Sequence, residues 1–191
     1  MNKSNNRSVI KTKKLLKNGL LELLDKKSIE KITVKELTDY VDINRGTFYL
    51  HYKDIYDLLE NTENEMIDDF YDILQSHQAM ELNGKPFELL KDIFIFLSEN
   101  VEFGKLILGK NRNYNFINKL KNILREKCFK DWDYFLTKEN NDLYEDYYEF
   151  IISGSIGIIE NWLFSDMKRP PKEMALITED IILKGIDALK K

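Results

Sequence analysis

Residues 33–59 read TVKELTDYVDINRGTFYLHYKDIYDLL, and this stretch predicts a short helix, a tight turn, a second short helix and the start of a long one. Thr33 and Glu36 have the spacing of a capping box, with Glu36 able to reach back to the cap amide, so the first helix is expected to begin at Val34. Its apolar residues repeat at helical spacing and predict one buried side: Val34, Leu37 and Val41.

The turn and the second helix follow directly. Asp42 and Ile43 are expected to form the turn, and Asn44 is a good N-cap for a helix of about two turns. Phe48 and Tyr52 are four residues apart and are predicted to pack inward. The residues expected on the outside are Arg45, Gly46, Thr47, Tyr49 and His51. A helix-turn-helix with such an outer surface suits base edges and phosphates of DNA.

The run NRGTFYLHY at residues 44–52 resembles bacterial transcriptional regulators of the TetR/AcrR family. The resemblance implies that the second helix enters the major groove, with Arg45, Gly46 and Thr47 near base edges. It also implies that Thr33, Tyr49 and His51 mainly hold phosphates. The candidate DNA-binding residues are therefore Thr33, Asn44, Arg45, Gly46, Thr47, Tyr49, His51 and Lys53.

Two positions depart from the family pattern. Asp42 stands where the family often has a glycine, and Asp tolerates a left-handed backbone better than most residues. Ile55 stands where the family commonly has a lysine, and Lys53 is a candidate substitute for that phosphate contact. The alternative interpretation of the motif is a helical hairpin buried in an ordinary all-helical domain, and His51 is equally compatible with packing on a neighbouring helix.

Charge is distributed unevenly along the chain. Residues 1–53 contain 12 lysines and arginines against 6 aspartates and glutamates, a net charge of +6, whereas residues 54–191 contain 17 against 27, a net charge of −10. A basic end on an acidic body can still bind phosphates, because that binding is local. The lysines near the N-terminus are interpreted either as a solvated face or as an arm for flanking phosphates. The first helix should bury one stripe: Ile10, Leu16, Leu20, Leu23 and Leu24.

Composition favours an all-α fold, because eight glycines and three prolines leave few breaks for strands. We expect a helix-turn-helix domain over residues 1–53 and a larger helical effector-binding and dimerisation domain over 54–191. A lone cysteine, Cys128, excludes an internal disulfide and fits a cytoplasmic protein. The longest near-apolar run, residues 150–159, is too short to span a bilayer, so no membrane partner is expected.

No enzyme motif, metal site or cofactor site is predicted. The chain has no G-x-S-x-G, no phosphate loop and no H-E-x-x-H motif, and its two histidines, His51 and His77, have no cysteine or histidine at metal-ligand spacing. Helices are predicted over about 53–75, from Pro86 through Asn100, and from Phe116 toward Phe135, with Gly104 and Gly109 bracketing a short segment between them.

The last third of the chain predicts two helices that are apolar over much of their circumference. One runs through residues 147–164, with Ser153, Gly154 and Gly157 allowing close approach of another backbone, and the other follows Pro171. The resemblance implies that these helices pair with their copies in a four-helix dimer interface. The predicted interface residues are Ile152, Ser153, Ile156, Gly157, Ile159, Leu163, Ile177, Ile181, Gly185 and Ala188. The alternative is that these helices form the core of a monomer.

Aromatic residues in the middle of the chain are candidates for an effector pocket, although for any one of them a core role is the favoured interpretation. The candidates are Phe103, Tyr114, Phe116 and Trp132. We expect a homodimeric DNA-binding regulator, a repressor rather than an activator, that reads a palindromic operator and responds to a small-molecule effector or a protein partner. The alternative is a co-regulator of the same fold that acts through a protein partner without binding the operator.

Overall fold

The structure is a computed structural model that describes residues 3–77, 86–109, 114–128 and 141–187. The secondary structure of these ranges is helical, which confirms the all-α prediction. The helices are α1 (Lys3–Lys26), α2 (Val34–Tyr40), α3 (Arg45–Tyr49), α4 (Ile55–Ser76), α5 (Phe87–Glu99), α6 (Val101–Leu108), α7 (Tyr114–Cys128), α8 (Asn141–Phe164) and α9 (Pro171–Asp187), with a 3-10 turn at Ile29–Lys31. Within the described ranges, no helix combines the length and apolar character needed to cross a bilayer.

The chain forms two compact units that meet within α4, the first ending at Ile67 and the second beginning at Asp68. We expected the division between residues 53 and 54, at the end of the helix-turn-helix motif. The first part of α4 belongs to the first unit: Leu58 is fully buried, and the Lys17 ammonium of α1 lies 3.9 Å from the Met66 sulfur. The packing boundary, between Ile67 and Asp68, therefore lies several helical turns after the end of the helix-turn-helix motif at residue 53.

The core of the first unit contains one or more fully buried side chains from each of its four helices. These are Leu16 and Leu20 of α1, Leu37 of α2, Phe48 of α3 and Leu58 of α4. The expectation that Ile10 lies on the buried stripe of α1 is wrong, since its side chain is 59% exposed. Full burial along the described part of α1 begins at Leu16, one to two turns after Ile10.

In the second unit α5 packs most extensively against α9. The backbone amide of Phe87, at the start of α5, donates to Oε1 of Glu179 on α9 at 3.0 Å. The rings of Phe94 and Trp162 meet edge to face with centroids 5.1 Å apart, and the indole N–H of Trp162 donates to the Arg169 carbonyl at 2.8 Å. These contacts tie α5 and α8 to the turn that precedes α9.

Helix α6 packs against α8 at a glycine. A Cβ built on Gly104 would stand 2.9 Å from Leu163 Cδ1, so only glycine permits this approach without movement of the leucine. Gly104 therefore lies inside α6 as a packing residue, and the expectation that it brackets a segment is wrong. Helix α7 ends in the described structure at Cys128, so its predicted extension toward Phe135 lies outside the described residues.

Candidate nucleic-acid interface

Helix α2 begins with the predicted cap. The Thr33 hydroxyl oxygen accepts a hydrogen bond from the Glu36 amide at 3.1 Å, which satisfies one of the amides that a helix start leaves open. The Glu36 carboxylate forms an ion pair with Lys27, the residue that directly follows α1. Thr33 is exposed, and because its oxygen accepts this bond its hydroxyl proton is still a donor for a phosphate.

The turn between α2 and α3 uses a left-handed residue. Asp42 has a φ of 54°, and the Ile43 amide donates to the Thr38 carbonyl at 2.9 Å to close the turn. Asp and Asn adopt this conformation at lower cost than other non-glycine residues. The predicted left-handed position is confirmed, with an aspartate in place of the glycine common in the family.

Helix α3 is held by a cap and by two buried aromatic rings. The Asn44 side-chain oxygen accepts from the Gly46 amide at 2.7 Å. Phe48 and Tyr52 are 0% and 5% exposed, with ring centroids 5.8 Å apart, which confirms their predicted inward packing. Burial, with smaller effects from the Glu65 and Asp57 carboxylates, raises the pKa of Tyr52 to about 12.

The opposite side of α3 is open to solvent. Arg45 and Gly46 are exposed, Thr47 and His51 are half-buried, and Tyr49 is 59% exposed while its ring meets Phe48 edge to face. The structure therefore brings the predicted base-edge and phosphate residues together on or beside one face. Leu50, which we did not predict as a functional residue, lies on the same side. Leu50 is two positions from both Phe48 and Tyr52, and this helical spacing is the sequence signal that places it on the outer side of α3.

The start of α4 carries two carboxylates. Asp54 Oδ1 accepts from the Asp57 amide at 2.9 Å, and Asp57 Oδ2 accepts from the Lys53 amide at 2.8 Å. Ile55 is 3% exposed and belongs to the core, so it contributes no polar group at the position where the family commonly has a lysine. The Lys53 side chain is exposed beside this helix start.

The candidate effector residues do not share one environment. Phe103 and Phe116 are buried and pack edge to face, with centroids 5.2 Å apart. Tyr114 is 67% exposed. Trp132 lies outside the described residues. The described part of the chain contains no group of three or more histidine, cysteine, aspartate or glutamate residues arranged to hold a metal ion.

The predicted interface residues of α8 and α9 fall into three groups. Ile152 and Leu163 are buried within the chain at 7% and 0% exposure. Ile156, Ile159 and Ile177 are half-buried, whereas Ser153, Gly157 and Ile181 are exposed. The surroundings of Gly185 are not described, and Ala188 lies outside the described residues.

The open face of α8 carries large apolar residues beside small ones. Phe150 and Phe164 are 64% and 50% exposed, and a Cβ built on Gly154 or Gly157 would meet no atom within 4 Å. On α9, Leu176 is 48% exposed. Phe150, Phe164 and Leu176 were absent from the predicted interface because α8 and α9 are apolar on several sides, and hydrophobic periodicity alone does not choose between those sides.

A family whose description is "Transcriptional regulator C-terminal region", of the TetR type, matches residues 84–184, more than half of the chain. The chain belongs to the TetR family of transcriptional regulators. This assignment agrees with the resemblance carried by residues 44–52, which lie outside the matched region. The family and the helix-turn-helix motif were therefore identified from separate parts of the sequence.

Among sequence relatives, the HTH-type transcriptional regulator YxbF of Bacillus subtilis (strain 168) is 23% identical over 164 residues. The alignment covers 84% of this chain and 42% of YxbF, so the chain spans less than half the length of that relative. Among solved structures, the fatty acid degradation regulator FadR from Bacillus halodurans has a TM-score of 0.68 at 16% identity, covering 90% of this chain and 94% of FadR. FadR from Bacillus subtilis in complex with stearoyl-CoA has a TM-score of 0.66 at 17% identity, covering 90% and 97%. At these identities the structural likeness shows a shared fold.

Proposed function

We propose that this TetR-family regulator binds a palindromic operator as a homodimer and represses transcription. The observation that carries the proposal is the two-sided arrangement of α3. Phe48 and Tyr52 anchor its inner side, while Arg45, Gly46 and Tyr49 are exposed on the outer side. A short anchored helix with polar groups on its outer face is the geometry that a major-groove reader requires.

The electrostatics of the first unit support phosphate binding. The sequence through residue 53 has a net charge of +6, and Arg45 and Lys53 are both exposed within or beside the helix-turn-helix. Because Ile55 is buried, Lys53 carries the phosphate contact at the start of α4 in this proposal. The Asp54 and Asp57 carboxylates accept from backbone amides there, which favours a contact made by the long Lys53 side chain over one made by the helix terminus.

The dimer in this proposal uses the open face of α8 together with Leu176 and Ile181 of α9. Gly154 and Gly157 allow a second backbone to come close, and Phe150 and Phe164 would lose their exposure to water on pairing. A two-fold dimer presents two copies of α3 and so matches a palindrome. Ile152 and Leu163 take no part, because they are buried in the chain's own core.

Selection of duplexes from a random pool by the purified full-length protein tests the proposal. We expect enrichment of a palindrome whose half-sites lie about one or more helical turns apart. A folded dimer that enriches no sequence at low salt would refute operator binding and favour the co-regulator alternative. Placing the selected operator between a promoter and a reporter tests the sign of regulation: reduced expression is expected, and increased expression would contradict repression.

The dimer is tested by sedimentation of Leu176→Asp and Ile95→Asp. Both substitutions place a carboxylate at an exposed aliphatic residue, on α9 and on α5 respectively, with Leu176 48% and Ile95 38% exposed. Leu176→Asp is expected to shift the protein toward monomer, whereas Ile95→Asp is expected to remain a dimer. If Leu176→Asp forms dimers to the same extent as Ile95→Asp and the wild type, the result would contradict the proposed interface.

We also propose that a small-molecule effector releases the protein from its operator. The buried Phe103–Phe116 pair provides an apolar environment in the second unit, and the FadR neighbour contains stearoyl-CoA. A long-chain acyl-CoA is therefore the first compound to add to the protein bound to its selected duplex. A fall in fluorescence anisotropy of the labelled duplex is expected, and an unchanged anisotropy at saturating acyl-CoA would contradict this ligand class.

A further inference from the structure

Leu50 is the most exposed large hydrophobic side chain in the described part of the chain. It directly follows α3 and is 79% exposed. Its backbone remains helical, with φ −70° and ψ −19°, and its amide donates to the Gly46 carbonyl at 3.2 Å. Helical geometry therefore still determines the direction of its side chain.

That direction is away from the core. Successive residues of an α-helix are rotated by about 100°, so Leu50 lies on the side opposite to residues two positions before and after it. Those residues are Phe48 and Tyr52, the two buried aromatics. Gly46 lies one turn before Leu50 on the outer side, and a Cβ built on Gly46 would meet Asn44 Oδ1 at 3.2 Å. The outer side of α3 thus combines a bare backbone with an aliphatic side chain.

An aliphatic side chain has one partner on the major-groove edges of the bases. Those edges present hydrogen-bond donors and acceptors, except for the 5-methyl group of thymine. We infer that Leu50 packs against a thymine methyl in each half-site and makes the protein prefer thymine at that position. This inference rests on the proposed operator binding and adds the identity of one base to it.

The test replaces thymines of the selected palindrome by deoxyuridine, one symmetric pair at a time. Deoxyuridine lacks the methyl group and keeps the same pairing edge. At one pair of positions, binding by the wild type is expected to weaken about fourfold for each methyl removed, or roughly fifteenfold for both half-sites. With Leu50→Ala the same replacement is expected to have no effect, because the side chain that contacts the methyl is absent.

The matched control is Ile95→Ala, which truncates an exposed aliphatic side chain on α5. This variant is expected to retain the uracil penalty of the wild type. Leu50→Gln is a second probe, because a glutamine side chain can form two hydrogen bonds with the major-groove edge of adenine. When duplexes are selected again with this variant, adenine is expected to replace thymine at the same position. Thermal unfolding of Leu50→Ala is expected to match that of the wild type because the side chain is exposed.

Two results would overturn the inference while leaving operator binding intact. Wild-type binding that is indifferent to uracil at every position would mean that no thymine methyl is read. A uracil penalty that Leu50→Ala retains in full would assign the methyl contact to another residue. Failure to select any duplex would instead refute the proposed function, and the inference with it.

Discussion

Gly19 on α1 lies against Val41, the residue that follows α2, so closely that a Cβ on Gly19 would stand 2.3 Å from Val41 Cγ1. Leu37 Cδ1 would be 3.1 Å from the same Cβ. Helices α1 and α2 therefore approach each other without a side chain from Gly19 between them. Since α3 follows α2 after a turn of four residues, this contact helps to fix the position of the candidate recognition helix.

Gly19→Ala is expected to lower the free energy of unfolding by about 1 to 3 kcal/mol, because the added methyl overlaps Val41. The overlap outweighs the roughly 1 kcal/mol that alanine contributes to a helix relative to glycine. Urea unfolding of Gly19→Ala, Val41→Ala and the double variant measures the coupling. In the Val41→Ala background, where the overlapping methyl of Val41 is absent, Gly19→Ala should lower the free energy of unfolding by less, or should raise it. Stabilisation by Gly19→Ala in the wild-type background would contradict the close contact.

Ile55→Lys is expected to destabilise the protein without strengthening DNA binding. The Ile55 side chain is 3% exposed, so a lysine there would bury an ammonium group in the core of the first unit, at a cost of about 3 kcal/mol. Tyr56→Lys is the matched control, because the adjacent Tyr56 is 56% exposed and its replacement should change stability by less than about 0.5 kcal/mol. Equal stability of the two variants would show that Ile55 is not a core residue.

Arg45→Ala is expected to relax base preference at one position in each half-site, at a cost of roughly 1 to 3 kcal/mol of discrimination. Arg45 is exposed in the first turn of α3, where a guanidinium can reach a base edge. Lys35→Ala on α2 removes another exposed cation and serves as the control, with the selected motif expected to persist. An Arg45→Ala protein that selects the wild-type motif would remove Arg45 from base recognition.

The free energy of unfolding is expected to fall as the pH rises from 10 to 12. Burial raises the pKa of Tyr147 from its usual 10 to about 12. Burial is also the largest of the causes that raise the pKa of Tyr52 to about 12. In this interval the unfolded chain has already released phenol protons that the folded chain retains, so raising the pH favours unfolding. The contribution of these phenols is complete below pH 10 and is lost as pH approaches 12.

Tyr147→Phe tests this pH dependence. The variant removes one neutral phenol and should show a shallower loss of stability with pH, measured by urea unfolding across the same interval. At neutral pH it should cost about 1 kcal/mol, because the Tyr147 hydroxyl donates to the Ile182 carbonyl at 2.9 Å. A slope equal to that of the wild type would contradict burial of this hydroxyl in the folded protein.

The helix-turn-helix was predictable because its determinants are local. The cap at Thr33, the cap at Asn44 and the inward pair Phe48 and Tyr52 each depend on residues within four positions of one another. Asp42 was likewise identifiable as a left-handed position. Propensity and periodicity act over this range, so the sequence pattern carried the required information.

The face of α8 that stays open was not predictable, because long-range packing decides it. Leu163 is buried by its contact with Gly104, almost sixty residues earlier, whereas Phe150 remains exposed. Both residues have the hydrophobicity of a core position. The buried position of Ile55 depends similarly on the packing of the first unit, although the family pattern leads one to expect a polar contact there.

The affinity of the selected duplex relative to a scrambled duplex of the same composition tests the central claim most directly. Fluorescence anisotropy at several salt concentrations gives both affinities and their salt dependence. At near-physiological salt, a site-specific protein should bind the selected duplex at least about a thousandfold more tightly than the scrambled duplex. Both affinities should fall as the salt concentration rises. Equal affinity for the two duplexes at every salt concentration would contradict sequence recognition by α3.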